Sequence, residues 1–202
     1  MAMPMHMPAH MTWPAAGIAW AELAVFWILV ALAVAWLLRP PGLRRPRTMP
    51  LRGRLWRWPE TSLVALGLPL ELLWEIAQFP LYDVWHERGW GTILYALVHC
   101  TLGDLLILLV AYGAVALLLR NRAWALGPAA WRGALPFTLL GAAYTVYSEI
   151  VNVRVEGNWG YTELMPRVPV LEIGAMPLLQ WLLIPPILLW LMRLTGPRVA
   201  AG

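Results

Sequence analysis

The sequence has little charge, no lysine and a single cysteine. Only 13% of its 202 residues are charged, and all 15 basic residues are arginines. So little charge argues against a soluble domain of this length. Cys100, the one cysteine, excludes an internal disulfide. No predicted helix has a metal-binding spacing such as His-x-x-x-His, so we expect neither a metal site nor a cofactor there.

Apolar runs long enough to cross a membrane recur along the chain. Hydrophobic residues make up 60% of it, and it contains 14 tryptophans. We therefore predict an all-α, polytopic helical bundle in the cell membrane. Residues 1–16 would form a Met/His-rich tail, and 17–202 a single transmembrane domain. Five spans are predicted, at about 17–38, 61–81, 91–119, 134–153 and 170–192.

The arginines indicate how these spans are oriented. With an extracytoplasmic N-terminus and a cytoplasmic C-terminus, twelve arginines lie inside and three outside: Arg88, Arg154 and Arg167. The high pI therefore reflects topology, and we expect no nucleic-acid partner. Residues 1–16 lack the basic start and cleavage site of a signal peptide, so the first span should be retained.

The run GLPLELLWEIAQFPLY places polar side chains inside the second predicted span. Glu71, Glu75 and Gln78 fall within roughly 60° of one another on a helix. A carboxylate in hydrocarbon costs several kcal/mol, about 2.5–3.5 at a helix centre, so such groups face a bundle interior or a wet cavity. The stripe predicts a polar site within the bundle.

The second and fourth predicted spans match in register. LGLPLELLWEIAQ aligns with LGAAYTVYSEIVN, so Glu75 meets Glu149 and Gln78 meets Asn152. The tags ERGWGT and EGNWGYT follow the two spans. The pattern favours a parallel two-helix repeat, with chance similarity between Leu- and Gly-rich helices as the alternative. In a repeat, Glu75 and Glu149 would face each other and share a proton or a cation.

The third span adds His99, and five residues later Asp104. The two lie about 140° apart around a helix, so they cannot both point squarely into one cavity. His99 could assist the glutamates or make an interhelical contact, and Asp104 could bind substrate or bridge two helices. We expect the catalytic residues to be Glu75, Glu149 and His99. The expected substrate-binding residues are Glu71, Gln78, Asp104, Asn152, Trp181 and Tyr161.

Two further segments bear on this site. The last span carries Gln180 near its middle, followed by Trp181 and a Pro-Pro pair that would kink the helix. The loop NWGYTELMPRVP, with Tyr161, could fold over the bundle mouth as a lid or belong to an interfacial aromatic belt. In residues 1–11, five Met and two His suit copper, although a short disordered tail is the simpler interpretation.

The last four spans resemble the emopamil-binding, sterol-isomerase-like membrane family. The resemblance rests on WEIAQFPLY in the second span, on Ser148 and Glu149 in the fourth, and on Trp181 followed by Pro185 in the last. It implies a bundle with an acidic pocket for a lipid-like ligand. The sequence departs from the family pattern where His, a third-helix acid and Asn are expected; it has Glu71, His99 with Thr101, and Leu178 instead.

Three functions remain open on the sequence. The first is a membrane enzyme or binder of a lipid or other hydrophobic small molecule, working by carboxyl acid/base chemistry. The second is a proton- or cation-coupled transporter, for which so few spans would require a homodimer. The third is a non-catalytic assembly subunit, in copper delivery for example, whose acids only hold helices together.

Labelling of introduced cysteines tests the predicted topology. In a Cys100→Ser background, a cysteine in residues 1–16 should react with an impermeant reagent from outside, and one at the C-terminus only from inside. Labelling of both from the same side would contradict the five-span prediction.

Overall fold

The computed structural model describes residues 58–127 and 130–195, except the side chain of Glu87. Four of their helices are long and apolar enough to cross a membrane. The predicted all-α bundle is therefore confirmed, and the helices are compatible with a multi-pass membrane protein. The tail at 1–16 and the first predicted span at 17–38 lie outside the described residues.

The helices follow the predicted spans with shifts at the ends. A 3-10 turn, Phe79–Leu81, follows the first helix, and a π-helical turn, Ile150–Val155, extends the fourth. The helices are α1 Pro59–Gln78, α2 Asp83–Glu87, α3 Trp90–Leu118, α4 Ala130–Glu149 and α5 Ala175–Thr195.

The predicted start of the last span at residue 170 is wrong, since α5 begins at Ala175. The backbone gives the reason. Val170 and Glu172 have φ values of 72° and 55°, in the left-handed region, which interrupts a right-handed helix. The apolar residues just before α5 therefore belong to the preceding loop.

The four long helices form a ring. α1 packs against α3 and α5, and α4 packs against the same two helices. Among the described helices, α1 and α4 thus lie across the bundle from each other. These are the two helices that the sequence repeat relates, and each directs a face toward the interior.

Two glycines lie where helices pack closely against each other. A Cβ at Gly141 would lie 1.9 Å from Cε3 of Trp181, so the indole ring lies directly on the backbone of α4. A Cβ at Gly67 in α1 would lie 3.2 Å from Cδ1 of Leu108 on α3. Helix backbones that approach over small residues gain packing that lipid cannot supply.

The end of the bundle where α1 begins is held by a partly buried ion pair. The guanidinium of Arg122 donates two hydrogen bonds to the Glu60 carboxylate, at 2.7 and 3.1 Å. It also lies 4.4 Å from the ring centroid of Trp58. The Tyr112 hydroxyl donates to the Arg122 carbonyl at 2.7 Å. This end, called the Arg122 end below, ties α1 to the α3–α4 connection.

The opposite end, called the loop end below, is covered by residues 156–174. This loop folds back on the end of α1: the amide of Thr162 donates to the Leu81 carbonyl at 2.9 Å. The amide of Asp83 donates to the Gly160 carbonyl at 3.1 Å. Met165 and Ile173 are buried beneath it. The loop therefore packs across this end of the bundle.

The Gly141 contact yields a stability prediction. Gly141→Ala should lower the free energy of unfolding by about 1–3 kcal/mol, because the new methyl group displaces the Trp181 ring. Thermal unfolding in detergent measures this. Gly113→Ala in α3, where a Cβ meets no atom within 4 Å, is the control and should not destabilise. Equal melting temperatures for both variants would contradict the packing.

Candidate functional site

The polar stripe of α1 faces the bundle interior, as the sequence predicts. Only 1% of Glu71, 4% of Glu75 and 3% of Gln78 is exposed. Leu73, on another face of the same helix, is 65% exposed. The stripe is thus the inward face of an otherwise apolar helix.

Gln180 of α5 joins this stripe to α3. Its amide nitrogen donates one hydrogen bond to Oε2 of Glu71 at 2.7 Å and another to Oδ2 of Asp104 at 2.9 Å. The Glu75 and Asp104 carboxyls are also hydrogen-bonded to each other. Glu71, Glu75 and Asp104 therefore form one group, called the carboxyl cluster below, drawn from two helices and held by a third.

An indole fixes the direction of the hydrogen bonds around the cluster. Trp74 can only donate, and its Nε1–H donates to Oε1 of Gln78 at 3.1 Å. The Gln78 amide nitrogen must then face Oε1 of Glu75, at 2.6 Å, and Oε1 of Gln180, at 3.3 Å. Gln180 in turn directs both its N–H groups at carboxyls. All four amide hydrogens of Gln78 and Gln180 are thus donated, and each amide group has one orientation that allows this.

The carboxyl oxygens of the cluster can accept more hydrogen bonds than the described side chains donate to them. Its protein donors are neutral amides, and Oε1 of Glu71 is buried without a partner. A hydrogen bond between Glu75 and Asp104 also requires a proton on one of them. Asp104 is only partly buried, unlike the two glutamates. The cluster can thus hold a proton.

Glu149 lies in a separate polar group at the loop end. Its carboxyl accepts a short hydrogen bond from the Tyr161 hydroxyl. The side chains of Tyr82 and Trp159 lie near the same carboxyl. Glu149 does interact electrostatically with Asp104. The expected direct pair of Glu75 and Glu149 is therefore replaced by two groups: Glu75 bonds to Asp104, and Glu149 bonds to Tyr161.

Tyr82 and Tyr161 are both held in the neutral, protonated form. Burial, with the nearby Glu149 and Glu75 carboxyls, raises the pKa of Tyr82. Burial and the hydrogen bond to Glu149 raise the pKa of Tyr161. Their rings lie 5.6 Å apart, and residues 82 and 161 form an isolated antiparallel bridge. Both phenols therefore keep their protons near neutral pH.

Three expected site residues lie elsewhere. His99 is exposed on the outer face of α3, stacked on Tyr95 with ring centroids 5.6 Å apart, because it sits far around the helix from the inward-facing Asp104. The Asn152 amide donates to the Ser148 carbonyl at 2.9 Å and so completes the turn beyond α4. Trp181 is 1% exposed and packs on Gly141.

Sequence reasoning missed two members of these groups. Gln180 was visible as a lone amide in an apolar span, but its donation to two acids depends on how α5 packs. Tyr82 stands just after the 3-10 turn that ends the span, where an aromatic residue resembles an interfacial one. Its burial, with 9% exposed, follows from the loop that folds over it.

Comparison with known proteins assigns the chain to no family. No family model matches it, nor does any curated protein. No solved structure matches it either. The chemistry of the described side chains is therefore the basis for a function.

Proposed function

We propose that this protein binds a hydrophobic small molecule from the membrane at the carboxyl cluster and exchanges a proton with it by acid/base chemistry. The main support for this proposal is that Oε1 of Glu71 is buried yet has no hydrogen-bond partner among the described residues. A buried acceptor of this kind is costly unless something else satisfies it. A polar group on a ligand is that partner.

The cluster suits proton exchange because Glu75 and Asp104 already share a hydrogen bond that needs a proton. Close carboxyls cannot all ionise, so a proton stays with the group and can be given to a ligand. The glutamine amides fix the acids in place, which spares a reacting ligand the reorganisation of its partners. Glu75 is the proposed acid, and Glu71 and Asp104 are the binding groups.

The route to the cluster favours an apolar ligand. Asp104 is partly exposed on α3, a helix whose outward side is lined by apolar residues such as Leu102. A molecule dissolved in the bilayer can approach there without crossing water. The resemblance to the emopamil-binding family, carried by Glu75, Glu149 and Trp181, supports a ligand of the same lipid-like class.

Proton- or cation-coupled transport is the second candidate. It is favoured by the ring, in which the repeat-related helices α1 and α4 stand opposite each other and each carries a buried glutamate. Transport differs from catalysis in one outcome. Proton movement across a sealed vesicle would follow the ligand gradient, whereas an enzyme would change the ligand itself.

Glu75→Gln tests the first candidate. The amide can keep the hydrogen bonds to Gln78 and Asp104, so thermal stability in detergent should change little, while proton exchange is lost. Mass spectrometry of protein purified in mild detergent should identify an apolar ligand that the wild type holds and converts. The Glu75→Gln protein should retain that ligand unconverted, and Glu71→Gln should bind it less.

Leu73→Gln is the matched control, since it places the same amide on the exposed face of α1. It should bind and convert like the wild type. A wild-type protein that carries no ligand, or conversion that survives in Glu75→Gln, would contradict the proposal.

A further inference from the structure

A tight hairpin in the covering loop comes directly before α5. Residues 167 and 174 form an isolated antiparallel bridge at its base. Within it, the amide of Val168 donates to the Ile173 carbonyl at 2.8 Å, and the amide of Glu172 donates to the Val168 carbonyl at 2.9 Å. These bonds leave three residues at a defined turn. They are called the hairpin tip below and are Pro169, Val170 and Leu171.

Val170 is an unusual residue for this turn. Its φ of 72° lies in the left-handed region, which β-branched residues rarely adopt because the Cβ atom crowds the backbone. Its side chain is 92% exposed, so burial within the described fold does not offset that strain. Glycine or asparagine would adopt the same φ at less cost. Packing of the described residues therefore does not explain a valine at this position.

Exposed tryptophans mark where the bundle meets the two surfaces of a membrane. Trp90 begins α3 at the loop end and is 71% exposed, and Trp131, near the start of α4 at the Arg122 end, is 70% exposed. Tryptophan concentrates at membrane–water interfaces. From Trp131 to Arg154 the helical chain rises about 35 Å, slightly more than the roughly 30 Å hydrocarbon core. Arg154 therefore lies at the level of the lipid headgroups.

Arg154 ties the hairpin tip to this level. Its guanidinium donates a hydrogen bond to the Leu171 carbonyl at 3.2 Å. Arg154 and Arg167 are both exposed beside the tip, and guanidinium groups bind phosphate oxygens well. Glu172, also exposed, carries the opposite charge on the same hairpin. The charges therefore suit the headgroups of neutral phospholipids without requiring an anionic lipid.

We propose that the hairpin tip inserts Val170 into the boundary between the headgroups and the acyl chains of the surrounding bilayer. There the valine leaves water, and this gain offsets its left-handed backbone. Phospholipid is the proposed partner because the bond from Arg154 places the tip level with the end of a span. The covering loop is then fixed twice, to the Leu81 carbonyl by the Thr162 amide and to lipid by Val170. The inference does not depend on the carboxyl cluster.

Fluorescence quenching of a label at residue 170 tests the insertion in the full-length protein. Val170→Cys is made in a Cys100→Ser background, labelled with nitrobenzoxadiazole and placed in phosphatidylcholine nanodiscs. Phosphatidylcholine that carries a spin label near the headgroup end of its acyl chain should remove most of the fluorescence, whereas aqueous iodide should have little effect. Glu163→Cys, at an exposed charged position in the same loop, is the control and should show the reverse.

Two results of the quenching experiment would overturn the insertion. If iodide quenches the label at 170 and the spin-labelled lipid does not, the tip faces water in the bilayer and is left as a contact for another protein. If the lipid quenches the labels at 163 and 170 equally, the label enters the bilayer on its own.

An unlabelled pair of variants distinguishes insertion from simple strain. In nanodiscs, Val170→Asp should speed amide hydrogen exchange of the hairpin, because a carboxylate stays in water and releases the tip. Val170→Leu keeps an apolar side chain and should exchange like the wild type. Aspartate tolerates a left-handed backbone better than valine does, so a tip that touches no lipid would exchange more slowly in Val170→Asp. Slower or unchanged exchange in that variant would contradict the proposal.

Discussion

The fold depends on the two hydrogen bonds that Gln180 donates. Glu71 and Asp104 belong to different helices, and neither carboxyl could remain in an apolar bundle without donors. Because one amide on α5 serves both, α1 and α3 are fixed to it in a single register. An apolar residue at 180 would remove this donor from both acids.

The two ends of the bundle contain different kinds of polar contact. At the Arg122 end, the ion pair between Arg122 and Glu60 neutralises both charges and ties α1 to the α3–α4 connection. At the loop end, the acid Glu149 accepts a hydrogen bond from the neutral hydroxyl of Tyr161. The middle is polar but short of donors, at Oε1 of Glu71. Charge is thus paired at the Arg122 end, whereas the buried acids in the rest of the described bundle have neutral partners.

Helical periodicity predicted most of the fold and half of the site. It predicted that Glu71, Glu75 and Gln78 share the inward face of one helix, because spacing along a helix is a local property. It also predicted correctly that Asp104 and His99 point in different directions from α3. It could not tell which of those two faces the interior, because that depends on how α3 packs. The repeat matched Glu75 with Glu149, which lie on opposite helices, but it did not indicate their hydrogen-bond partners, Asp104 on α3 and Tyr161 in the loop.

The central claim is that Gln180 holds the carboxyl cluster together, and a double-mutant cycle tests it most directly. Gln180→Leu, Asp104→Leu and the double variant are compared by unfolding in detergent. The account predicts that the double variant is more stable than the sum of the single losses implies, by about 0.5–3 kcal/mol, because the removed acid no longer needs its donor. Gln180→Leu combined with Tyr147→Phe should add simply. Strict additivity for Gln180 and Asp104 would contradict the account.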